Sequence, residues 1–455
     1  MPNTQRLLYN LITLSPHNLN PLNPLNPLTS TPLKVLLVNT SDHAGGAAIA
    51  SMRLLKALRQ NGVDATLLCM NRTLPAERTE VVSLKRTLWR KLKFVLERLE
   101  IFVKNGFSRQ GLFAVDTARF GNDITRLKAF AEADVIHLHW TNQAMLSLRN
   151  MQKILRSGKR VVITMHDMWT FTGVCHNAAD CQRWLSGCGK CPQLCRPSAG
   201  DLSASTYRRK AATYAKGHFT AIGCSQWLAG LAAQAPLLKG QRVGCIPNPI
   251  DTRYYAPAGT EGMPTRNEVR EALGLPADKR LLLFTAFKVT DPNKGIDYLT
   301  EAISLLMQEH PDQADKVAIV LAGHGAESLQ SAFAVPAYAM GYVQSEERMR
   351  QLYQACDLLV MPTLMDNLPN TIAEAMACGV PCVAFNVGGV PQMVDTGVNG
   401  YLAAYCNSLD FAHGIAATLN SQSYAAMCRN ARAKALKAYD EKAVAKAYAA
   451  VYAME

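Results

Sequence analysis

Lys34-Val-Leu-Leu-Val-Asn39 is an apolar burst of buried-strand length, and it runs straight into the turn Thr40-Ser-Asp-His-Ala-Gly-Gly46. Ala47 to Gln60 then carries a helical pattern closed by Asn61-Gly62, and Ala65 to Cys69 reads as a second strand. A strand, a helix and a strand in that order predict a βαβ unit with parallel strands. The alternation continues outward. Asp134-Val-Ile-His-Leu-His139 is strand-like, residues 143–157 are helical, and Arg160-Val-Val-Ile-Thr-Met165, Phe219 to Cys224 and Arg242 to Ile246 supply further strands. Such a chain predicts a mostly parallel sheet with helices on both faces.

The pattern then restarts. Residues 256–280 read as a connection with one short helix. Leu281 to Ala286, Val317 to Leu321, Leu358 to Met361 and Pro381 to Phe385 follow as strands between helical stretches. At 455 residues and 49% hydrophobic content the chain is sized for two cores. The expected fold class is therefore α/β: two Rossmann-like doubly wound domains facing each other across a cleft, with ligands at the carboxyl ends of the strands. The expected boundaries are a leader at 1–32, a first domain at 33–255 with a Cys-rich insertion at 173–195, and a second domain at 256–435. A final helix at 436–455 is open to a return onto the first domain.

Residues 1–32 contain repeated Pro-Leu-Asn and no long apolar block, so they read as a disordered leader or an early start codon and not as an export signal. No run of eighteen uncharged apolar residues exists, which argues against a membrane-spanning helix. The expected location is cytoplasmic, with the thirteen cysteines mostly reduced or metal-bound. Charge is uneven. Residues 1–250 hold 32 Lys and Arg against 13 Asp and Glu, whereas 251–455 hold 16 against 22. The first half should be drawn to something anionic, unless the excess is only a solvated face.

The most informative stretch is Pro362-Thr-Leu-Met-Asp-Asn-Leu-Pro-Asn-Thr-Ile-Ala-Glu-Ala-Met-Ala-Cys-Gly379. It reads as strand end, loop and helix, with Asp366 in the loop and Glu374 one turn into the helix. Pro369 between them bars one continuous helix. Amides from Asn367 through Leu368 to Asn370 open the helix, an arrangement that suits a diphosphate or sugar hydroxyls. A carboxylate on either side accepts hydrogen bonds from hydroxyls.

These residues resemble the hallmark of the retaining family-4 glycosyltransferases of the GT-B type, Glu-x7-Glu followed by Ala-x-Ala-x-Gly-x-Pro, with Asp366 where the first Glu is usual. The resemblance implies a hexosyltransferase in which Asp366, Asn367 and Leu368 hold the donor hexose and Glu374 the ribose. It places Lys288 and Lys294, six residues apart, on the donor diphosphate, where fixed cations stabilise charge on the departing nucleotide. It also places Tyr342 and Val343 at the base, near Gly323-His-Gly325, and brings Gly45 and Gly46 to the donor phosphate from the other domain. His166, in Thr164-Met-His166, is implied as a ligand of the donor sugar near the reacting carbon. His139 and Trp140 are candidates for the acceptor side. No cofactor is implied for catalysis; the donor is a UDP- or GDP-sugar.

Cys175, Cys181, Cys188 and Cys191 have the makings of a structural zinc knuckle, with free thiols and redox chemistry as the other readings. The Cys-rich run after Met165-His-Asp-Met-Trp resembles the colanic-acid and exopolysaccharide branch of the family (the WcaC-like enzymes). That implies a glycan or lipid-linked glycan acceptor. Residues 82–110 place Leu84, Leu88, Leu92, Val95, Leu99 and Phe102 at helical spacing among eight Lys and Arg, a pattern for peripheral contact with an anionic membrane or for a core-facing helix. A sugar-nucleotide epimerase or a phosphorylase of the same fold is the near alternative. A zinc-bearing nucleic-acid-binding protein is the distant one, disfavoured because the basic residues spread over a βα domain, so no nucleic-acid partner is expected.

Overall fold

The computed structural model describes residues 33–454, apart from positions 76, 86 and 312–314. The leader expected at 1–32 lies outside the described residues. The chain divides into two units: one ends at Pro249 and takes the chain back from Lys442, and the other runs Ile250–Glu441.

The first unit is a seven-stranded sheet. Its strands are β1 (Lys34–Ser41), β2 (Asp64–Asn71), β3 (Val81–Ser83), β4 (Val135–Leu138), β5 (Arg160–Met165), β6 (Thr220–Gly223) and β7 (Arg242–Cys245), in the order β3-β2-β1-β4-β5-β6-β7. Every pairing is parallel. The order reverses between β1 and β4, which puts the topological switch point, the usual ligand crevice of such sheets, at their carboxyl ends. β1 is buried at all but its first residue, as expected of a strand covered on both faces. On one face, Leu54 and Leu58 of helix Gly46–Gln60 join Val35 and Leu37 in a core that also takes in Tyr448 and Tyr452 of the final helix Glu441–Ala453.

The second unit is a six-stranded sheet: β8 (Arg280–Lys288), β9 (Val317–His324), β10 (Ala337–Ala339), β11 (Leu358–Met361), β12 (Cys382–Phe385) and β13 (Gly400–Ala403), in the order β10-β9-β8-β11-β12-β13. Its pairings are also all parallel, and its switch point lies between β8 and β11. Buried Asp357, just before β11, anchors the sheet from below: it accepts from Arg270 at 2.8 Å and from the Leu281 amide at 2.8 Å. Among the described residues no helix is long and apolar enough to cross a membrane.

Candidate active site

In the second unit, three loops meet beyond the carboxyl ends of β8, β11 and β12. Lys294 Nζ donates to Asp366 Oδ2 at 3.0 Å, and the Thr363 hydroxyl donates to the same oxygen at 3.3 Å. Two glycines permit this approach. Gly295, at φ 72°, has the Pro362 carbonyl oxygen 1.9 Å from where a Cβ would stand. Gly388, at φ 57°, has the Asp366 carbonyl oxygen at 2.0 Å. Any other residue would need left-handed backbone and would also collide with main chain. The Leu364 amide bonds the Asn293 carbonyl at 2.9 Å, which ties the lysine loop to the aspartate loop a second time.

Glu374 lies on helix Asn370–Ala377 and is 7% exposed. Its Oε2 accepts from the Tyr353 hydroxyl at 2.7 Å. Burial, and then the Glu374 charge, push the Tyr353 phenol well above its ordinary value, so it stays a donor. Lys288 ends β8, is exposed, and pairs in register with His324 at the end of β9. His324 stacks on Tyr342 with centroids 4.1 Å apart and planes 10° apart, and Phe287 packs edge-on against both rings. Val343 follows, half-buried. The structure thus brings Lys294 together with Asp366, and Tyr342 together with His324, at one end of one sheet. Glu374 is turned to Tyr353.

In the first unit, the end of β1 leads through Ser41, whose hydroxyl accepts from the amides of His43 and Ala44, to Gly45 at φ 88°. Gly45 and Gly46 are exposed and open helix Gly46–Gln60. Nothing stands within 4 Å of a Cβ built on Gly45, so dihedral freedom and not space is what this position uses. At the ends of β4 and β5, His139 Nδ1 lies 3.0 Å from His166 Nε2, and His166 Nδ1 lies 3.6 Å from Cys224 Sγ. Burial lowers His166 to about 4 from 6.5 and holds His139 well below its ordinary value, so both rings are neutral at pH 7 and one ring's N–H donates to the other's bare nitrogen. Trp140 Nε1 donates to Asp167 Oδ2 at 3.0 Å, and His176 Nδ1 stands 2.7 Å from the same oxygen. Burial works against the Asp167 charge, but His176, the Trp169 amide and the Trp140 indole together outweigh it and hold the carboxylate below its ordinary range. Leu138, His139, Trp140, Thr164, His166 and Asp167 all border one small cavity. Sequence reasoning missed His176, Cys224 and Tyr353 as partners: Cys224 and Tyr353 lie on elements separate from the residue each contacts, and His176 is returned to Asp167 by an irregular loop whose path spacing does not give.

The four cysteines of the expected zinc knuckle lie together in the first unit. Cys175, Cys181, Cys188 and Cys191 border one cavity, yet no three His, Cys, Asp or Glu side chains among the described residues are placed to hold a metal ion. Packing divides them. Cys191 belongs to an apolar cluster with Ile101, Val174 and Leu202, whereas Cys175, Cys181 and Cys188 pack into the main core beside Trp184. All thirteen cysteines are free thiols, and burial pushes Cys175 up to about 12 and Cys188 to about 11.

Comparison with known proteins bears on both units. Residues 44–254 match the family described as Glycosyltransferase Family 4, and residues 279–421 match Glycosyl transferases group 1. Curated relatives include a D-inositol 3-phosphate glycosyltransferase 2 of Catenulispora acidiphila, 27% identical over 40% of this chain and 43% of its own length. Another is the D-inositol 3-phosphate glycosyltransferase of Saccharomonospora viridis, 30% identical over 37% of this chain and 41% of its own. The matches thus span about two fifths of those relatives. Solved structures covering far more include sucrose-phosphate synthase from Thermosynechococcus elongatus, with TM-score 0.63, 17% identity, 92% of this chain and 98% of that one. Anabaena HepE in complex with UDP-glucose has TM-score 0.59, 17% identity, 93% of this chain and 100% of that one. The two parallel sheets with their covering helices have the GT-B fold of these structural neighbours.

Proposed function

We propose that this chain, whose two units match glycosyltransferase families, moves a hexose with retention from a UDP- or GDP-sugar to a glycan acceptor in surface-polysaccharide assembly. The observation that carries this is the contact of Lys294 with Asp366 at the switch point of the second sheet, held by Gly295 and Gly388. A cation and a carboxylate side by side match a donor with a diphosphate at one end and hydroxyls at the other. HepE, of the same fold, is described in complex with UDP and with UDP-glucose, which supports a nucleotide-sugar donor here.

In the proposed reaction, Lys288 and Lys294 bind the diphosphate, Asp366 with the amides of Asn367 and Leu368 holds the hexose, and Glu374 takes the ribose. Tyr342 and Val343 line the base, Gly45 and Gly46 face a phosphate, and His166 bonds the hexose near its reacting carbon. The bond from that carbon to the diphosphate oxygen breaks, and the acceptor hydroxyl forms the new bond on the same face. Its proton passes to the leaving phosphate oxygen. The protein positions the partners and stabilises the developing charge, without a metal. The acceptor is lipid-linked, so the enzyme works at the inner face of the cytoplasmic membrane.

The test is a thermal-shift panel of UDP- and GDP-sugars, since a ligand that binds only the folded state raises the melting temperature. Product analysis with a labelled donor follows. Failure of every nucleotide sugar to bind would remove the proposal, and a labelled epimer or sugar phosphate in place of a glycoside would redirect it.

A further inference from the structure

Helix Leu88–Lys104 is built inside out. A helix on a globular domain normally buries its apolar stripe and turns charge to solvent. Here Leu88, Leu92, Val95, Leu99 and Val103 recur at helical spacing along one stripe, and all five are exposed, Leu88 at 82%. Trp89 adjoins the stripe at 70% exposed, and Phe107 extends it past the helix end at 68%.

The buried face carries Glu97, Arg98 and Ile101. Arg98 Nη2 lies 3.2 Å from Glu97 Oε2 and 3.3 Å from Asp116 Oδ2, while Nη1 donates to the Leu112 carbonyl at 2.6 Å. Rolling the helix to bury its leucines would leave Asp116 without this guanidinium and pull Arg98 from its carbonyl acceptors. The exposure of the apolar stripe is therefore fixed by what lies beneath it.

Charge identifies the occupant. The two acidic residues of the segment are both paired with cations: buried Glu97 with Arg98, and Glu100 with Lys104 at 2.7 Å at the surface. Lys85, Lys91 and Arg109 stand exposed around the stripe. Aliphatic side chains with a tryptophan and an unopposed basic rim suit the boundary between acyl chains and anionic headgroups. A second copy of the chain suits it less, because a two-fold interface would set this basic rim against itself.

We propose that this face docks on an anionic lipid surface, with Leu92, Val95 and Leu99 entering the acyl boundary and Lys91 and Arg109 at the phosphates. This deepens the membrane-facing role given above, and its test needs neither donor nor acceptor. The full chain is sedimented with phosphatidylcholine vesicles with and without phosphatidylglycerol. Binding to the anionic vesicles alone is expected, weakening with salt. Replacing Leu92, Val95 and Leu99 by Ser lowers the partition coefficient at least about tenfold, with the melting temperature held because these positions are exposed. Lys91→Glu with Arg109→Glu lowers it too and flattens the salt dependence. Trp89 emission shifts to the blue on vesicle addition, a change missing in Trp89→Phe. No binding by the parent chain, or equal binding by the triple Ser variant, would overturn the proposal. A parent dimer that the triple variant makes monomeric would also overturn it, in favour of a second copy. Donor affinity, measured in parallel, reports separately on the transferase proposal.

Discussion

Lys294 and Asp366 form a charge-assisted hydrogen bond of 3.0 Å across two loops of the second unit. They come from the ends of adjacent strands, 72 residues apart, and each is one of the groups proposed to grip the donor. Before donor arrives, the two neutralise each other, so a carboxylate and a cation are stored in position without net local charge.

Lys294→Ala removes a cation from the proposed diphosphate site. Donor affinity by calorimetry should fall tenfold to a hundredfold, on the order of 1.4–3 kcal/mol. Stability should change by less than about 1 kcal/mol, because the pair is partly solvated, with side chains 32% and 20% exposed. An unchanged affinity would take Lys294 out of the site.

Tyr353→Phe leaves Glu374 in place but deletes its buried donor. The expected cost is about 0.5–1.5 kcal/mol of stability, or more where the carboxylate finds no replacement, with a smaller loss of donor affinity. Glu374→Ala should abolish donor binding. A partial loss of donor affinity in Tyr353→Phe shows that the tyrosine positions the carboxylate; affinity unchanged in Tyr353→Phe but abolished in Glu374→Ala shows that it does not.

Gly295→Ala places a methyl against the Pro362 carbonyl and demands left-handed backbone. Destabilisation of about 1–3 kcal/mol or more is expected, together with weaker donor binding because Lys294 is the neighbouring residue. Gly45→Ala, with open space around its Cβ, should cost less. Chemical denaturation of both variants checks the contrast.

Acid should unfold the first unit through its buried imidazoles. Burial lowers His137 to about 3 and His166 to about 4, from 6.5. The unfolded chain therefore takes up these protons first as pH falls. Stability held by the neutral rings is complete above about pH 6.5 and declines as pH drops from there towards 4, by up to about 1.4 kcal/mol per unit for each ring. Melting temperatures at about pH 7 and pH 5 measure the slope; His137→Gln should make it shallower.

The repeated βα alternation was legible because buried parallel strands are near-continuous apolar runs, as in Val35 to Val38 and Leu281 to Phe284. Lys294 and Asp366 were legible as loop residues, and Glu374 as a helix residue, because the apolar runs before them mark the strands; their donor roles are what the family resemblance implies. What escaped were contacts between separate elements, such as Tyr353 with Glu374 and Cys224 with His166. Spacing carries no information about which strand ends become neighbours. The spacing of Cys175, Cys181, Cys188 and Cys191 brings all four to one cavity, while Cys191 also packs into a neighbouring apolar cluster. In helix Leu88–Lys104 the periodicity was read correctly, yet a periodic stripe does not say which way it faces.

The return of helix Glu441–Ala453 has a consequence for how the chain is made. Tyr452 bonds His137 at 2.7 Å, and Tyr448 bonds Thr164 at 2.8 Å, deep under the first sheet. During synthesis the strands of the first unit emerge before residues 250–441 and lack this plug until helix Glu441–Ala453 has followed. The first unit is thus completed only after the whole intervening unit has passed through the ribosome, its seven strands made but one face not yet fully covered. A stop codon that removes even the final two turns would leave that sheet with an uncovered apolar face.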